Sequence, residues 1–306
     1  MKKLSLIISV LTILLVLAAC GNSGSSSSKK LQVVTTFYPM YDFTKNITGN
    51  NADIHMLIEA GTEPHDYEPS AKDIAKIEEA DVFVYNSNDM ETWVPKVLKN
   101  IDRKKTTVIE ASKGIKLLEG VEEEEEHGDD HGHAHDPHVW LSPALAQKEV
   151  ATIEAGLKKA DKKRTSTYEK NAKTYTAKLE KLDNDFKDGL KGAKNRDFVT
   201  QHAAFQYLAK EYDLHQIAIA GLSPDQEPSP KRLAELQKFV KKHDTKIIYF
   251  EEVASPKIAQ TLADETGAKM EVLSPIEGIT AKEQKQGIDY ISYMEDNLKA
   301  LQKTIK

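Results

Sequence analysis

The alternation of strand and helix patterns along the chain is the feature that most constrains its fold. Short runs rich in β-branched and aromatic residues alternate with helical patterns, in one set before and one set after a long amphipathic stretch. Parallel strands need long crossover connections, which are usually helices, so this alternation predicts parallel sheets covered by helices. The predicted strands are Leu31–Thr36, Asp53–Ile58, Asp81–Asn86 and Thr107–Ile109 in the first set, and Asp197–Thr200, His215–Ala220, Thr245–Glu251 and Lys269–Leu273 in the second.

Capping residues, prolines and glycines mark the helix boundaries. Ser70 and Asp73 are spaced as in a capping box, and Ser229 precedes a proline, as the N-cap of a helix often does. Each predicted helix lies between two strands or closes a set. The predicted helices run from Tyr38 to Gly49, Ser70 to Ala80, His202 to Tyr212, Ser229 to Lys242, Ser255 to Gly267 and Lys282 to Lys303.

A long amphipathic helix is predicted between the two sets. Apolar side chains recur every three or four residues from Tyr168 to Leu190, so one stripe packs and the other faces are solvent-exposed. From Thr165 to Leu190 the helix would be roughly 39 Å long. Any packed amphipathic helix has this pattern, but the position between two complete sets favours a rigid strut. The predicted fold class is therefore α/β, with two lobes of parallel sheets and helices, one long rigid helix joining them, and a cleft between the lobes.

The first thirty residues differ in composition from the rest. Lys2 and Lys3 precede an apolar run that is shorter than the about 20 residues needed to span a bilayer and has the size of a signal-peptide core. The run ends at Cys20 in a pattern that resembles a bacterial lipobox, which implies cleavage before Cys20 and a lipid on its thiol; a buried cysteine on an uncleaved helix is the alternative. The predicted organisation is a signal peptide (1–19), a flexible tether (20–30), an N-terminal α/β lobe (31–164), a linking helix (165–192) and a C-terminal α/β lobe (193–306).

Negative charge and histidines are concentrated in one loop. The formal net charge is −6, which argues against a broad nucleic-acid surface, and the single cysteine excludes a Cys-rich structural zinc site. Nine acidic residues and no Lys or Arg lie between Glu119 and Asp136, so this acidic loop is predicted to be disordered. A solvated spacer is one interpretation; auxiliary, weak metal capture is favoured, because four histidines are interleaved with the carboxylates: His127, His131, His133 and His135.

Four further residues are candidates for an ordered metal site. His65, His202 and Glu277 each follow a predicted strand, and His138 lies in a separate Pro-rich segment with no clear strand before it. Ligands of open α/β sheets bind at the carboxyl ends of strands, and two of these residues belong to each predicted lobe, so the site would lie in the cleft. Three neutral imidazoles and one carboxylate suit tetrahedral Zn²⁺, whereas harder ions such as Mn²⁺ prefer more carboxylate.

Several spaced motifs resemble the zinc-specific, cluster A-I substrate-binding lipoproteins of bacterial ABC transporters. Besides the lipobox, they are Glu63–Pro69 (EPHDYEP), Asp136–Pro143 (DPHVWLSP), Gln201–Phe205 (QHAAF) and Leu273–Gly278 (LSPIEG). The resemblance covers essentially the whole mature chain. It places the histidine ligands of the family on His65, His138 and His202, and the carboxylate on Glu277. Manganese members of this family have an acidic residue where this sequence has His202, so that position indicates zinc.

The resemblance implies a function and a location. It implies that one Zn²⁺ binds tightly in the cleft and is delivered to a membrane permease driven by a cytoplasmic ATPase. The chain would be a monomer, held by its lipid on the outer face of the cytoplasmic membrane of a Gram-positive bacterium, with no nucleic-acid partner and no enzymatic activity.

Three alternatives stay open at this point. A manganese or iron carrier of the same family is the nearest. A secreted zinc hydrolase would need a zinc position open to water, but the sequence has no His-Glu-x-x-His helix and no nucleophile motif. A surface adhesin would be supported by large exposed apolar patches.

Overall fold

The computed structural model describes residues 30–120 and 135–305 of the chain. The predicted signal peptide, Cys20 and most of the tether lie outside these ranges, and so do His127, His131 and His133 of the acidic loop. From Leu31 onward the chain forms one compact unit. Within the described ranges, no helix has the length and apolar character needed to cross a membrane.

The first half of the chain folds into a parallel sheet with covering helices. Its elements are β1 (Leu31–Thr35), α1 (Tyr38–Thr48), β2 (Ala52–Met56), α2 (Ala71–Glu79), β3 (Val82–Tyr85), α3 (Val94–Val97) and β4 (Thr107–Glu110). The four strands are parallel and lie in the order β2-β1-β3-β4. The capping box before α2 is confirmed, because the Ser70 side chain accepts a hydrogen bond from the Asp73 N–H while the Asp73 side chain accepts one from the Ser70 N–H.

A linking region follows, with two short strands and two long helices. β5 (Leu118–Glu119) and β6 (His135–Asp136) form an antiparallel pair that joins the two ends of the predicted acidic loop. Single 3₁₀ turns at Val139–Leu141 and Lys162–Arg164 flank α4 (Pro143–Ala160), and α5 (Thr165–Gly189) is the long helix predicted from the sequence. Its 25 residues span roughly 37 Å.

The second half repeats the parallel arrangement. Its elements are β7 (Asp197–Thr200), α6 (Gln206–Glu211), β8 (His215–Ala218), α7 (Pro230–Lys242), β9 (Ile247–Phe250), α8 (Lys257–Thr266), β10 (Lys269–Val272), α9 (Ala281–Gln286) and α10 (Tyr290–Ile305). The strand order is β10-β9-β7-β8, again with all strands parallel. All eight strands predicted from the sequence are present, with ends that differ by at most two residues.

One main core connects the two sheets. The long helix α5 packs against α4 and α1, and also against α10 of the second half. Phe198 and Tyr249 of the second sheet belong to the same buried cluster as Val33 of the first, whereas Val199 and Ile248 point to a smaller cluster under α7 and α8. Successive strand residues face opposite sides, so the central strands β7 and β9 are buried on both faces of the second sheet. The predicted fold class is confirmed.

Three helix predictions are wrong in detail. The helix predicted from His202 begins only at Gln206, because the Thr200 hydroxyl donates a hydrogen bond to the His202 carbonyl (2.8 Å) and holds the intervening residues in a non-helical turn. The helix predicted from Ser255 begins at Lys257, with Pro256 as its N-cap. The closing helix is two helices, α9 and α10, because Gly287 between them has a positive φ of 72°.

The helix α4 is absent from the predicted helices, although its sequence carries a start signal. Ser142 caps it by accepting a hydrogen bond from the Leu145 N–H, and Pro143 is the first helical residue. This is the pattern that predicts α7 at Ser229. On α4, a Cβ at Gly156 would clash with the Ile109 side chain, so glycine permits the close approach of α4 to β4.

Candidate metal centre

The four candidate ligands meet at one point. The Nε2 atoms of His65, His138 and His202 lie 3.3, 3.0 and 3.3 Å from the Oε1 atom of Glu277. The Nε2 atom of His138 is also 3.3 Å from that of His65 and 3.4 Å from that of His202. A tetrahedron with metal–ligand distances of about 2.0–2.1 Å has edges of about 3.3–3.4 Å. The donor atoms are therefore spaced as the corners of a tetrahedral zinc site would be.

The ends of strands supply these side chains, two from the part of the chain before α5 and two from the part after it. His65 lies on the loop after β2, and His138 lies two residues after β6. His202 follows β7, and Glu277 follows β10. The short strand β6 supplies the strand end before His138 that the sequence pattern did not show. Each of these two parts of the chain thus contributes two donor atoms.

The centre is almost closed to solvent. The side chains of His138, His202 and Glu277 are fully buried, and that of His65 is 10% exposed. His65 is thus the side chain that lies closest to bulk water. An ion that enters the centre would exchange its water shell for these four groups.

Carboxylates orient two of the histidines from behind. The Nδ1 atom of His138 lies 2.7 Å from Oδ1 of Asp136, and the Nδ1 atom of His202 lies 2.5 Å from Oε1 of Glu251. An Nδ1–H that donates to a carboxylate leaves Nε2 free to bind a metal and makes it more basic. Both carboxylates are buried, which strengthens these contacts.

His65 is held differently. Its backbone N–H donates to both carboxylate oxygens of Glu63, at 3.1 and 3.0 Å. Burial and the nearby Glu277 carboxylate raise the pKa of Glu63 to about 7. The loop from β2 is therefore fixed at its backbone, while the imidazole extends into the centre.

The charges of the four candidate ligands depend on one another. Burial lowers the pKa of His65, and Glu277 only partly opposes this. Burial alone would also lower the pKa values of His138 and His202, but Asp136 raises the first and Glu251 raises the second, in each case together with Glu277. Burial would raise the pKa of Glu277, but the imidazoles hold it well below its usual range. Glu277 is therefore a carboxylate, and protons would compete with a cation for the His138 and His202 imidazoles, whose pKa values are raised.

The ends of the acidic loop differ from the prediction of disorder. Glu119 and His135 pair in the β5–β6 ladder, and the half-exposed His135 imidazole lies 3.2 Å from Asp89. Asp136 is buried behind His138 and does not belong to an open collector. The loop histidines His127, His131 and His133 lie outside the described residues.

Two carboxylates that contact candidate ligands, Asp136 and Glu251, are not among the predicted site residues. Asp136 is predicted to belong to the acidic loop, and Glu251 lies at a strand end, as other carboxylates do. The sequence position of Asp136, two residues before His138, could have indicated its role. From there its carboxylate accepts hydrogen bonds from the backbone N–H and from the Nδ1–H of that histidine. No local signal marks Glu251, because its contact with His202 depends on the pairing of β7 with β9.

The fold and the centre together define an α/β binding protein, with one buried site where the strand ends of two parallel sheets meet. Within this class the chain belongs to the ZnuA family, described as zinc-uptake complex component A, periplasmic, whose model matches residues 33–304.

Two bacterial relatives extend the similarity to nearly the whole chain. The chain is 53% identical over 313 residues to the high-affinity zinc uptake system protein ZnuA of Bacillus subtilis, covering 99% of this chain and 98% of that protein. It is 52% identical over 308 residues to the zinc-binding lipoprotein AdcA of Streptococcus pneumoniae, covering 99% of this chain. It spans only 61% of the length of that longer relative.

Solved structures share the fold. The crystal structure of the Zn(II)-bound ZnuA-like domain of S. pneumoniae AdcA has a TM-score of 0.79 and 51% identity, covering 90% of this chain and 99% of that one. The laminin-binding protein Lmb of Streptococcus agalactiae, described as a bifunctional protein with adhesin and metal transporting activity, has a TM-score of 0.79 and 38% identity. That comparison covers 91% of this chain and 100% of Lmb.

Proposed function

We propose that this chain binds one Zn²⁺ ion at His65, His138, His202 and Glu277 and delivers it to an ABC permease for uptake. The observation that carries the proposal is the spacing of the three Nε2 atoms around Glu277 Oε1, 3.0–3.3 Å, which matches the edges of a tetrahedral zinc site. Membership of the zinc-uptake family supports it, and so does the similarity to a Zn(II)-bound domain.

The donor set favours zinc over harder ions. Three imidazoles and one carboxylate suit a borderline ion in four-fold coordination, whereas Mn²⁺ prefers more oxygen ligands. His202 is the position that favours zinc over manganese or iron. The contact of its Nδ1 with Glu251 leaves Nε2 facing the centre as a nitrogen donor. A carboxylate at this position would suit manganese or iron better.

The same donor set favours carriage over hydrolysis. A catalytic zinc ion has three protein ligands and a water molecule in its fourth position. Here a fourth protein donor, Glu277, stands where that water would bind, and its side chain is fully buried. The proposed role is therefore binding and release of the ion, without enzymatic activity.

The proposed carrier is a lipid-anchored monomer. Cleavage before Cys20 and lipid attachment to its thiol would hold it on the outer face of the cytoplasmic membrane, with residues 20–30 as a tether. The proposed lobes are 31–164 and 193–306, linked by residues 165–192. Permease and ATPase would be separate proteins, as the name "component A" of a zinc-uptake complex suggests.

The acidic loop is proposed to capture zinc weakly. Its carboxylates raise the local concentration of cations, and His127, His131, His133 and His135 add donors that suit zinc. The loop ends at Asp136, two residues from His138, so captured ions would be released beside the centre.

Surface adhesion is a second candidate function, because the similar protein Lmb is described as an adhesin. Val272, 36% exposed, is the only large hydrophobic residue that is exposed in the described part of the chain. Adhesion would therefore rest on polar contacts. Immobilised laminin tests this candidate: saturable binding that survives zinc removal supports it, and binding no stronger than to albumin excludes it.

The transport proposal is tested by competition titration of the metal-stripped chain with Zn²⁺, Mn²⁺ and Fe²⁺ against a chelator. We expect one tight zinc site that Mn²⁺ and Fe²⁺ do not compete for at equal concentration. His202→Ala should lose affinity by more than the about 10- to 100-fold typical of changes behind a ligand. His215→Ala, an exposed histidine on β8, is the matched control and should bind as the parent does. Parent-like affinity in His202→Ala would exclude this residue as a ligand.

A further inference from the structure

Glu277 differs from His138 and His202 in the contacts that hold its side chain in place. Each of those histidines has a carboxylate on the ring nitrogen that faces away from the centre. The Oε2 atom of Glu277 has no hydrogen-bond partner among the described residues, and Oε1 contacts only the three imidazoles. Apart from the candidate ligands themselves, only its own backbone therefore positions this carboxylate among the described residues.

That backbone is clamped from α10. Asn297 makes two hydrogen bonds with Ser274: its Oδ1 accepts from the Ser274 N–H at 2.8 Å, and its Nδ2 donates to the Ser274 carbonyl at 2.7 Å. Asn297 is 3% exposed, so water cannot readily replace either bond. The clamp fixes the start of the loop three residues before Glu277.

A second contact fixes the same loop from the segment between β6 and α4. The Nε1–H of Trp140 donates to the Pro275 carbonyl at 2.8 Å. The Tyr290 hydroxyl in turn donates to the Trp140 carbonyl at 2.5 Å. Trp140 lies two residues after His138, so this bond ties the segment that carries one candidate ligand to the loop that carries another.

Between these contacts and Glu277 the backbone is strained. Ile276 has a φ of 57°, in the left-handed region that β-branched residues rarely adopt, and its side chain is fully buried. Its N–H donates to the Ser274 hydroxyl at 3.3 Å. Strained residues persist only where the surroundings fix them, and they cluster at ligand sites. This left-handed residue directly precedes Glu277, whose Oε1 faces the imidazoles.

We propose that Asn297 is a positioning residue for Glu277, which holds a strained loop so that the carboxylate completes the centre before an ion arrives. This inference rests on the proposed zinc function. A preformed fourth donor avoids the entropy of ordering the loop on binding, so loss of the clamp weakens binding through Glu277 alone.

A double-mutant cycle tests the proposal, with zinc affinity measured by chelator competition. Asn297→Ala should weaken zinc binding by about 10- to 100-fold in the parent chain, as changes behind a metal ligand do. In a Glu277→Ala background the same change should cost less than about twofold, because the residue it positions is gone. An equal loss in both backgrounds would show a merely structural effect and overturn the proposal.

Two further variants distinguish a loss of zinc affinity from a loss of folding. Asn297→Asp preserves the shape and the bond to the Ser274 N–H, but it places an acceptor oxygen against the Ser274 carbonyl in place of the donor. The loss in this variant should also disappear in the Glu277→Ala background. Asn171→Ala, which removes an asparagine bond to the Ile47 carbonyl on α1, is the matched control and should leave zinc affinity unchanged. Absence of zinc binding by the parent chain would overturn the proposed function itself, whereas parent-like binding by both Asn297 variants would overturn only the positioning role.

Discussion

The Nδ1 atom of His202 lies 2.5 Å from the Oε1 atom of Glu251, and the contact joins the ends of two neighbouring strands, β7 and β9. Glu251 fixes the ring so that Nε2 faces the other candidate ligands. It also stabilises positive charge on the imidazole, which makes the ring a stronger donor to a metal. A residue at a strand end can thus serve the centre without contacting the ion.

Replacement of Glu251 should weaken zinc binding without removing a ligand. Glu251→Ala frees the His202 ring to rotate and makes Nε2 less basic, so we expect a loss of about 10- to 100-fold in affinity. Chelator competition measures it. The control is Glu271→Ala, which removes a solvent-accessible ion pair with Lys303 and no contact with a candidate ligand, so it should leave affinity unchanged. Equal affinity in the two variants would contradict the orienting role of Glu251.

Zinc affinity should fall as pH falls, beginning above the ordinary histidine pKa of 6.5. The pKa values of His138 and His202 are raised by Asp136 and Glu251, against the opposing effect of burial. Zinc binds the neutral ring, so protons compete wherever the pH is below these pKa values. Titrations at about pH 8, 7 and 6 should show weaker binding at each step. Between about pH 8 and 7, the zinc affinity of Glu251→Ala should fall less than that of the parent chain. A parent affinity that is the same at these two pH values would contradict the predicted competition between protons and zinc.

The stability of the metal-free chain should depend on pH through Glu149. This residue of α4 is fully buried, and neither carboxyl oxygen has a hydrogen-bond partner in the described structure. Burial and the nearby Glu91 hold its pKa well above the usual 4.5. The folded chain therefore retains a proton that the unfolded chain releases, so stability is lost as pH rises from 4.5 toward the folded pKa, by about 1.4 kcal/mol per pH unit.

Glu149→Gln removes that dependence, because the amide keeps the shape and carries no charge. Urea unfolding at about pH 5 and about pH 8 should show a gain in unfolding free energy that is larger at the higher pH. Glu180→Gln, on the exposed side of α5, is the control and should show no such difference. A gain for Glu149→Gln that is the same at both pH values would contradict a protonated native Glu149.

Deletion of residues 122–133, with a short Gly-Ser join, should leave the tight site intact. All four candidate ligands and both orienting carboxylates lie outside this segment, and the β5–β6 pair that supports Asp136 is preserved. We expect parent-like affinity in vitro and slower zinc uptake by cells only when zinc is scarce. Loss of tight binding in the deleted chain would show that the loop contributes ligands.

The strands and the fold class could be predicted from the sequence, because the inner strands, such as β3 and β9, are short runs of buried apolar and aromatic residues, and helical patterns separate the strands along the chain. Local start signals likewise located α2 and α7. The division of the closing helix into α9 and α10 was harder to predict, because the apolar spacing continues across Gly287. The positive φ of this glycine ends one helix before the next begins. The turn after β7 is set by hydrogen bonds from Thr200 and Gln216 to the His202 carbonyl, and the sequence pattern does not contain these contacts.

The four candidate ligands could be predicted because each has a residue type that binds zinc, at a strand end or in a motif of the family. The residues behind them could not be predicted in the same way. Glu251, Trp140 and Asn297 act on loops from distant parts of the chain, and their roles depend on the register of the sheets and the position of α10. Only Asp136, two residues from His138, is near enough in sequence for a local pattern to indicate it.

The proposal that His65, His138, His202 and Glu277 together hold one zinc ion can be tested by locating the ion itself. Anomalous diffraction at the zinc edge, from crystals of the chain grown with one equivalent of Zn²⁺, does this. We expect a single ordered peak about 2.0–2.2 Å from three Nε2 atoms and one Glu277 oxygen. A peak elsewhere, or a peak at the centre with water in place of Glu277 or of one imidazole, would contradict it.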